Sequence, residues 1–171
     1  MRLALLLLLL PVGVAIPSGL PSAPGVPTPS SLVDLRPGEE LKIRHHSYGC
    51  FHVAICDLSF RRDSVLTVNV VLVRSGPAGV REPRQLATLT VTDSTAADLD
   101  GLLRIHREAP PRRSNGGVRL ELTLTRDGAV VAEELLDNNP VIRRLGSHGF
   151  EALIAMARQA APASAFSDEY R

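Results

Sequence analysis

The stretch that decides the fold is "RLELTLTRDGAVVAEELL", residues 119–136. Two runs of alternating apolar and polar residues flank Asp127 and Gly128, and an Asp-Gly pair in that setting is a strong signal for a two-residue β-hairpin turn. A turn there predicts two apolar cross-strand pairs on one face, Leu124 with Val131 and Leu120 with Leu135. It also places Glu121 opposite Glu134, and this like-charge pair predicts that the other face meets water.

Four segments before the hairpin carry the patterns of β-strands. Residues 41–46 alternate between apolar and polar side chains, as a half-buried strand does. Residues 51–60 are largely apolar on both faces, and residues 64–74, "SVLTVNVVLVR", are rich in β-branched side chains. Residues 85–92 complete the set, so the hairpin joins a sheet of about five to six strands.

Two further segments repeat their apolar residues with the period of an α-helix. Ser94 is a candidate N-cap for the first helix, whose stripe is Leu99, Leu102, Leu103 and His106. The second stripe is Phe150, Leu153, Ile154 and Ala157. We expect His106 to cover the core or to interact with the end of its helix, and His148 to lie in the loop before the second helix.

This order of elements predicts an α+β domain. Its sheet is mainly antiparallel, with the two helices on one face; the alternative is a β-sandwich with peripheral helices. The layout of strands, an "LDGLLR" helix at residues 99–104, a hairpin and a closing helix resembles in architecture small secreted peptidase-inhibitor domains such as emfourin. No motif is shared, so the resemblance implies a fold and, at most, inhibitor-like binding.

The start of the chain predicts export. Residues 1–15 have a basic start, an apolar run and small residues before a cut after Ala15, which is the pattern of a signal peptide. Residues 16–38 are rich in proline and predict an extended tether. We therefore expect an exported, secreted or periplasmic protein with one domain at residues 39–161 and a flexible tail at 162–171.

Composition argues against two classes of function. Once Arg2 leaves with the leader, basic and acidic side chains are equal in number, so the basic surface expected of a nucleic-acid-binding protein is missing. The chain has no G-x-S-x-G motif and no Ser, His and Asp set with the spacing of a triad. Its one glycine-rich stretch, residues 114–117, precedes a strand, whereas a phosphate-binding loop precedes a helix.

One short segment concentrates the residues that could bind a metal. Residues 44–56, "RHHSYGCFHVAIC", hold three of the five histidines and both cysteines. If Tyr48 and Gly49 form a hairpin turn, His45 faces His52 on one side of the sheet, with Cys50 beside them and His46 pointing away. Imidazole and thiolate favour Zn or Cu, so His45, Cys50 and His52 are the candidate metal ligands.

The same segment leaves the state of the cysteines open. In an oxidising compartment Cys50 and Cys56 are expected to form a disulfide. A continuous strand would hold them about 20 Å apart, however, whereas bridged Cα atoms lie within about 7 Å. Either the two thiols stay separate, or residues 49 and 50 fold back to bring Cys50 alongside Cys56.

Together these observations predict a small non-enzymatic binding or interaction domain, with a protein or a small molecule as its partner. The alternative is a metal-binding or thiol redox protein that uses His45, Cys50 and His52. The sequence names no catalytic residue for either function.

Overall fold

The computed structural model describes residues 31–49, 52–75, 83–109, 117–137 and 148–162. Its elements, in chain order, are β1 (Glu39–Gly49), β2 (His52–Arg62), β3 (Leu66–Ser75), β4 (Arg84–Val91), α1 (Asp93–Glu108), β5 (Gly117–Arg126), β6 (Ala129–Asp137) and α2 (His148–Ala160). The predicted signal peptide, most of the predicted tether and nearly all of the predicted tail lie outside the described residues. None of the described helices has the length and apolar character needed to cross a membrane.

The strands form one six-stranded sheet in the order β4-β3-β2-β1-β5-β6, and every neighbouring pair is antiparallel. This confirms the predicted α+β class, and the β-sandwich alternative is wrong for the part of the chain described. Strands β1 to β4 follow one another across the sheet. Helix α1 then returns the chain to the other side of β1, where β5 and β6 complete the sheet.

One face of the sheet carries the core. Strand residues at alternate positions are buried there, including Ile43, Leu58, Phe60, Val68, Val70, Leu120 and Leu122. The helices cover this face with the predicted stripes: Leu99, Leu103 and His106 are buried on α1, and Phe150, Leu153, Ile154 and Ala157 on α2. Leu102, also predicted for the stripe of α1, is only partly buried.

The two helices approach closely at Gly149, in the first turn of α2. A Cβ atom at this position would lie 2.5 Å from Cδ1 of Leu102 and 2.9 Å from Cδ2 of Leu99. Both distances are shorter than van der Waals contact allows, so a residue without a side chain lets α2 pack against α1 here.

The predicted turn of the β5–β6 hairpin is confirmed, but the predicted register is wrong beyond it. Asp127 and Gly128 have φ angles of 52° and 81°, as a type I′ turn requires. Between Thr125 and Leu124, moving away from the turn, the register shifts by one residue. The cause is Val131, an extra residue in β6 that forms a β-bulge. The observed apolar pairs are therefore Leu124 with Ala132 and Leu120 with Leu136.

Because of the bulge, the side chain of Glu134 lies on the face of the hairpin for which the sequence predicted apolar residues. Glu134 lies opposite Leu122, not Glu121. Its carboxylate accepts hydrogen bonds from Nε of Arg107 at 3.0 Å and from Nη2 at 2.8 Å. This forked ion pair joins α1 to the edge strand β6.

Both helices begin earlier than the sequence predicted. The N-cap of α1 is Thr92, whose hydroxyl accepts a hydrogen bond from the backbone N–H of Thr95 at 3.1 Å. Ser94 is already inside the helix. His148, which we expected in the preceding loop, is the first residue of α2.

The folded domain also extends further toward the N-terminus than the predicted start at Glu39. Leu32 and Leu35, within the predicted tether, are 0% and 4% exposed and belong to the core. The carboxylate of Asp100 in α1 accepts hydrogen bonds from the backbone N–H groups of Leu32, at 2.8 Å, and Val33, at 3.1 Å. Residues 31–38 thus pack on the domain, because the apolar pair in "SLVDL" outweighs the surrounding prolines.

Candidate functional site

The predicted register of the β1–β2 hairpin is wrong by an even number of residues. Strand β1 continues through the predicted turn, since Tyr48 and Gly49 belong to β1, and Gly49 pairs with His52, the first residue of β2. His45 therefore lies opposite Cys56, not opposite His52. Because side chains alternate along a strand, an even shift leaves every side chain on its predicted face.

In this register His45 and His52 do not face each other, so the metal site expected from that pairing stays a prediction. His52 lies four residues along β2 from Cys56, which places it about 13 Å from the position opposite His45. Cys50 and the side chain of His52 lie outside the described residues. Among the residues that are described, no three His, Cys, Asp or Glu side chains are grouped so that they could hold a metal ion.

Cys56 is buried on the helix face of β2 and forms no disulfide with any described residue. Its expected disulfide partner, Cys50, lies outside the described residues, so the bridge stays a prediction. What the structure places beside Cys56 is the imidazole of His45, directly across the strand pair.

His45 and Cys56 open onto a cavity of about 240 Å³ between the sheet and α2. Alternate residues of β1 and β2 supply its floor, and one face of α2, at spacings of three and four residues, supplies the other wall. The lining residues are His45, Ser47, Ala54, Cys56, Glu151, Ile154, Ala155 and Arg158.

His45 is an uncharged group at neutral pH. The residue is 4% exposed, and its ring centroid lies 6.4 Å from that of Phe150 in α2. Burial, together with the nearby His106 and His46, lowers the pKa of the imidazole to about 4. A neutral imidazole offers one hydrogen-bond donor and one acceptor.

Cys56 is uncharged as well. Burial raises the pKa of its thiol to about 11, against the opposing effect of Arg158. The thiolate is the form that attacks electrophiles and binds metals, so a thiol in this state is a poor nucleophile and a poor ligand. The described residues thus give no support to the thiol redox alternative.

Two more histidines, His106 and His46, lie outside the cavity lining. His106 of α1 is 8% exposed, burial lowers its pKa, and its Nδ1 has no hydrogen-bond partner. It covers the core, as predicted. His46 lies on the opposite face of the sheet, as predicted, where its Nδ1 is 2.9 Å from the hydroxyl of Tyr48.

Sequence reasoning missed the contribution of α2 to this site. Glu151, Ala155 and Arg158 form a second stripe beside the buried one, with the same helical spacing, and Ile154 of the buried stripe borders it. Because the residues of this stripe are small or charged, a search based on hydrophobicity alone does not find it. Only the docking of α2 against the β1–β2 strand pair brings it to His45 and Cys56.

Comparison of the chain with models of known protein families finds no match, and a search of curated proteins finds no significant relative.

Proposed function

We propose that this chain is a non-enzymatic binding domain of an exported protein, and that the cavity beneath α2 is its ligand site. The ligand is a small neutral molecule with an apolar body and one hydrogen-bonding group. The observation that carries the proposal is the cavity of about 240 Å³ with the buried, neutral imidazole of His45 in its wall.

The size of the cavity supports a ligand of about one ring. A cavity of about 150 Å³ holds benzene, and drug-sized ligands occupy sites of roughly 300–1,000 Å³. The present volume lies between these values, which fits a monocyclic compound with one polar substituent.

The polarity of the lining supports a neutral ligand. His45, Cys56 and Ser47 supply uncharged polar groups on the strand side, beside Ala54 and Ile154. A charged ligand would lose its hydration there without gaining a buried counter-charge.

The charged residues of the lining favour neither sign. Glu151 and Arg158, both exposed on α2, carry opposite charges. Their effects on a charged ligand largely cancel, so the preference for a neutral molecule remains.

The test is a titration followed by two-dimensional ¹H–¹⁵N NMR with three probes of similar size: phenol, benzoate and benzylammonium. We expect phenol to give saturable shifts at the amides of residues 45, 56 and 155. The two ions should bind at least about tenfold more weakly, because each must be desolvated. Absence of saturable phenol shifts, or equal affinity for all three probes, contradicts the proposal.

A matched pair of variants locates the site. Ala155 and Ala152 are both exposed on α2, but only Ala155 lines the cavity. Ala155→Leu should reduce phenol binding by filling part of the cavity, while Ala152→Leu should leave it unchanged. An equal effect of both substitutions would show that phenol binds elsewhere.

A further inference from the structure

The two edge strands of the described sheet, β4 and β6, differ in the features that hinder pairing with other chains. Strand β6 carries Glu133, Glu134 and Asp137, and α1 contacts it through the ion pair between Arg107 and Glu134. Strand β4, "RQLATLTV", has Arg84 as its one charged residue and contains no proline. Charges and covering elements are the usual means by which proteins prevent edge strands from pairing with other chains. Of the two edges, β4 lacks the acidic residues that keep β6 from pairing with itself.

The regular part of β4 is self-complementary. Its β-bulge is at Leu86, so that Ala87–Val91 forms an undistorted strand against β3. Consider a second copy placed antiparallel about a two-fold axis through Leu89, perpendicular to the sheet. Thr88 of one copy then faces Thr90 of the other on the open face, and Leu89 faces Leu89 on the helix face. Such Thr–Thr and apolar pairs stabilise antiparallel strands, and no like charges are opposed.

We propose that β4 pairs with β4 of a second copy of this chain, so that the two sheets become one continuous sheet with all helices on the same face. This inference is independent of the proposed ligand site. The other edge is less suited to such pairing, since a two-fold axis through Glu133, the middle residue of β6, would set this carboxylate against itself. A β4–β6 contact would not close and would produce open-ended assemblies.

The neighbouring helix adds to the same contact. Helix α2 contacts β4 on the helix face, so the two-fold axis brings both copies of α2 toward each other. Met156 of α2 is 52% exposed, a large apolar side chain on an otherwise small and polar exposed surface of that helix.

The test uses a pair of charge variants of the full chain, Thr88→Glu with Thr90→Glu, and Thr88→Lys with Thr90→Lys. Sedimentation equilibrium should show a dimer for the wild type. Each variant should weaken the dimer at least about tenfold, because residues 88 and 90 of the two copies would oppose like charges. Mixing the two variants in equal amounts should restore the dimer through Glu–Lys pairs, and circular dichroism should show that each variant is folded.

Three results overturn the proposal. The first is a wild-type chain that stays monomeric up to about 1 mM, the range of the weakest specific complexes. The second is a dimer that survives in both charge variants. The third is a series of assemblies growing beyond the dimer, which would indicate the open β4–β6 contact. None of these results bears on phenol binding in the cavity.

Discussion

His45 of β1 lies directly opposite Cys56 of β2, and both residues line the cavity beneath α2. Burial lowers the pKa of the imidazole to about 4 and raises the pKa of the thiol to about 11. A reactive cysteine–histidine pair needs the opposite shifts, toward thiolate and imidazolium. The pair is therefore neutral at physiological pH, which fits a binding site and not a nucleophilic one.

The buried histidines predict a loss of stability in mild acid. The pKa of His45 is about 4 in the folded protein and 6.5 when the side chain is free, so protons bind preferentially to the unfolded chain as the pH falls through this window. We expect the free energy of unfolding to drop by about 2 kcal/mol between pH 7 and pH 5 from His45 alone. The pKa of His106 is also lowered, which adds to the effect. Urea unfolding across this range measures the slope.

The control for this prediction is His45→Gln, which cannot take up a proton. Its stability should fall less steeply between pH 7 and pH 5, and the double variant with His106→Gln should be flatter still. A wild-type protein with the same stability at both pH values would contradict the assignment. Glu39 and Asp57, whose pKa values are lowered in the folded protein, lose their stabilising contributions mainly below pH 5, outside this window.

The thiol of Cys56 should resist alkylation in the folded protein. A pKa raised from 9.0 to about 11 reduces the thiolate fraction about a hundredfold at neutral pH. In a Cys50→Ser background, mass spectrometry should show reaction with iodoacetamide at least that much slower in buffer than in urea. Comparable rates in the two conditions would mean that the thiol is accessible and ionised.

The N-terminal segment should contribute to the stability of the domain. Leu32 is fully buried, whereas its neighbour Val33 is 42% exposed. Leu32→Ala should cost about 3 kcal/mol in the free energy of unfolding, and Val33→Ala less than about 0.5 kcal/mol. If both substitutions were neutral, the domain would begin at Glu39 as the sequence suggested.

The ion pair between α1 and β6 should be measurable because it is forked and partly buried. The side chains of Arg107 and Glu134 are 28% and 18% exposed. Glu134→Gln should cost about 1 kcal/mol, and Glu133→Gln, at an exposed neighbouring position, close to nothing. Equal effects of the two substitutions in thermal or urea unfolding would argue against the bulged register of β6.

Two glycines in the helices should respond in opposite directions to alanine. Gly149→Ala places a methyl group against Leu99 and Leu102 and should destabilise the protein by about 1 kcal/mol or more. A Cβ at Gly101 meets nothing within 4 Å, so Gly101→Ala should stabilise the protein by up to about 1 kcal/mol through helix propensity. A stabilising effect at Gly149 would show that the helices are further apart than described.

The sequence predicted the elements of the fold well because each depends on local chemistry. The Asp127-Gly128 turn requires positive φ angles, and the helical stripes follow from the burial of one face. The two registers failed for different reasons. The β5–β6 register depends on the bulge at Val131, and the β1–β2 register differs because Tyr48 and Gly49, the pair that looked most like a turn, belong to strand β1. Neither has a signal in the local sequence.

Only the strand side of the candidate site could be predicted from the sequence. His45 was correctly placed on the helix face, since alternation survives an even shift of register. The residue opposite His45 was predicted wrongly, because the pairing of the two strands depends on the position of the turn. The wall formed by Glu151, Ala155 and Arg158 comes from a helix about a hundred residues later in the chain. Its position depends on tertiary docking, which no pattern within α2 encodes.

The strand order has a consequence for the assembly of the molecule. Strand β1 is the first element of the sheet to be synthesised, yet one of its two neighbours, β5, follows α1 in the chain. Leu41 cannot pair with Leu124 until most of the domain has left the ribosome. A nascent chain that ends at α1 therefore presents β1 as an open edge, and closing it requires a contact of large sequence separation, which is the kind that forms slowly. Strand β1, which lies inside the finished sheet, thus keeps one unpaired edge until β5 has been synthesised.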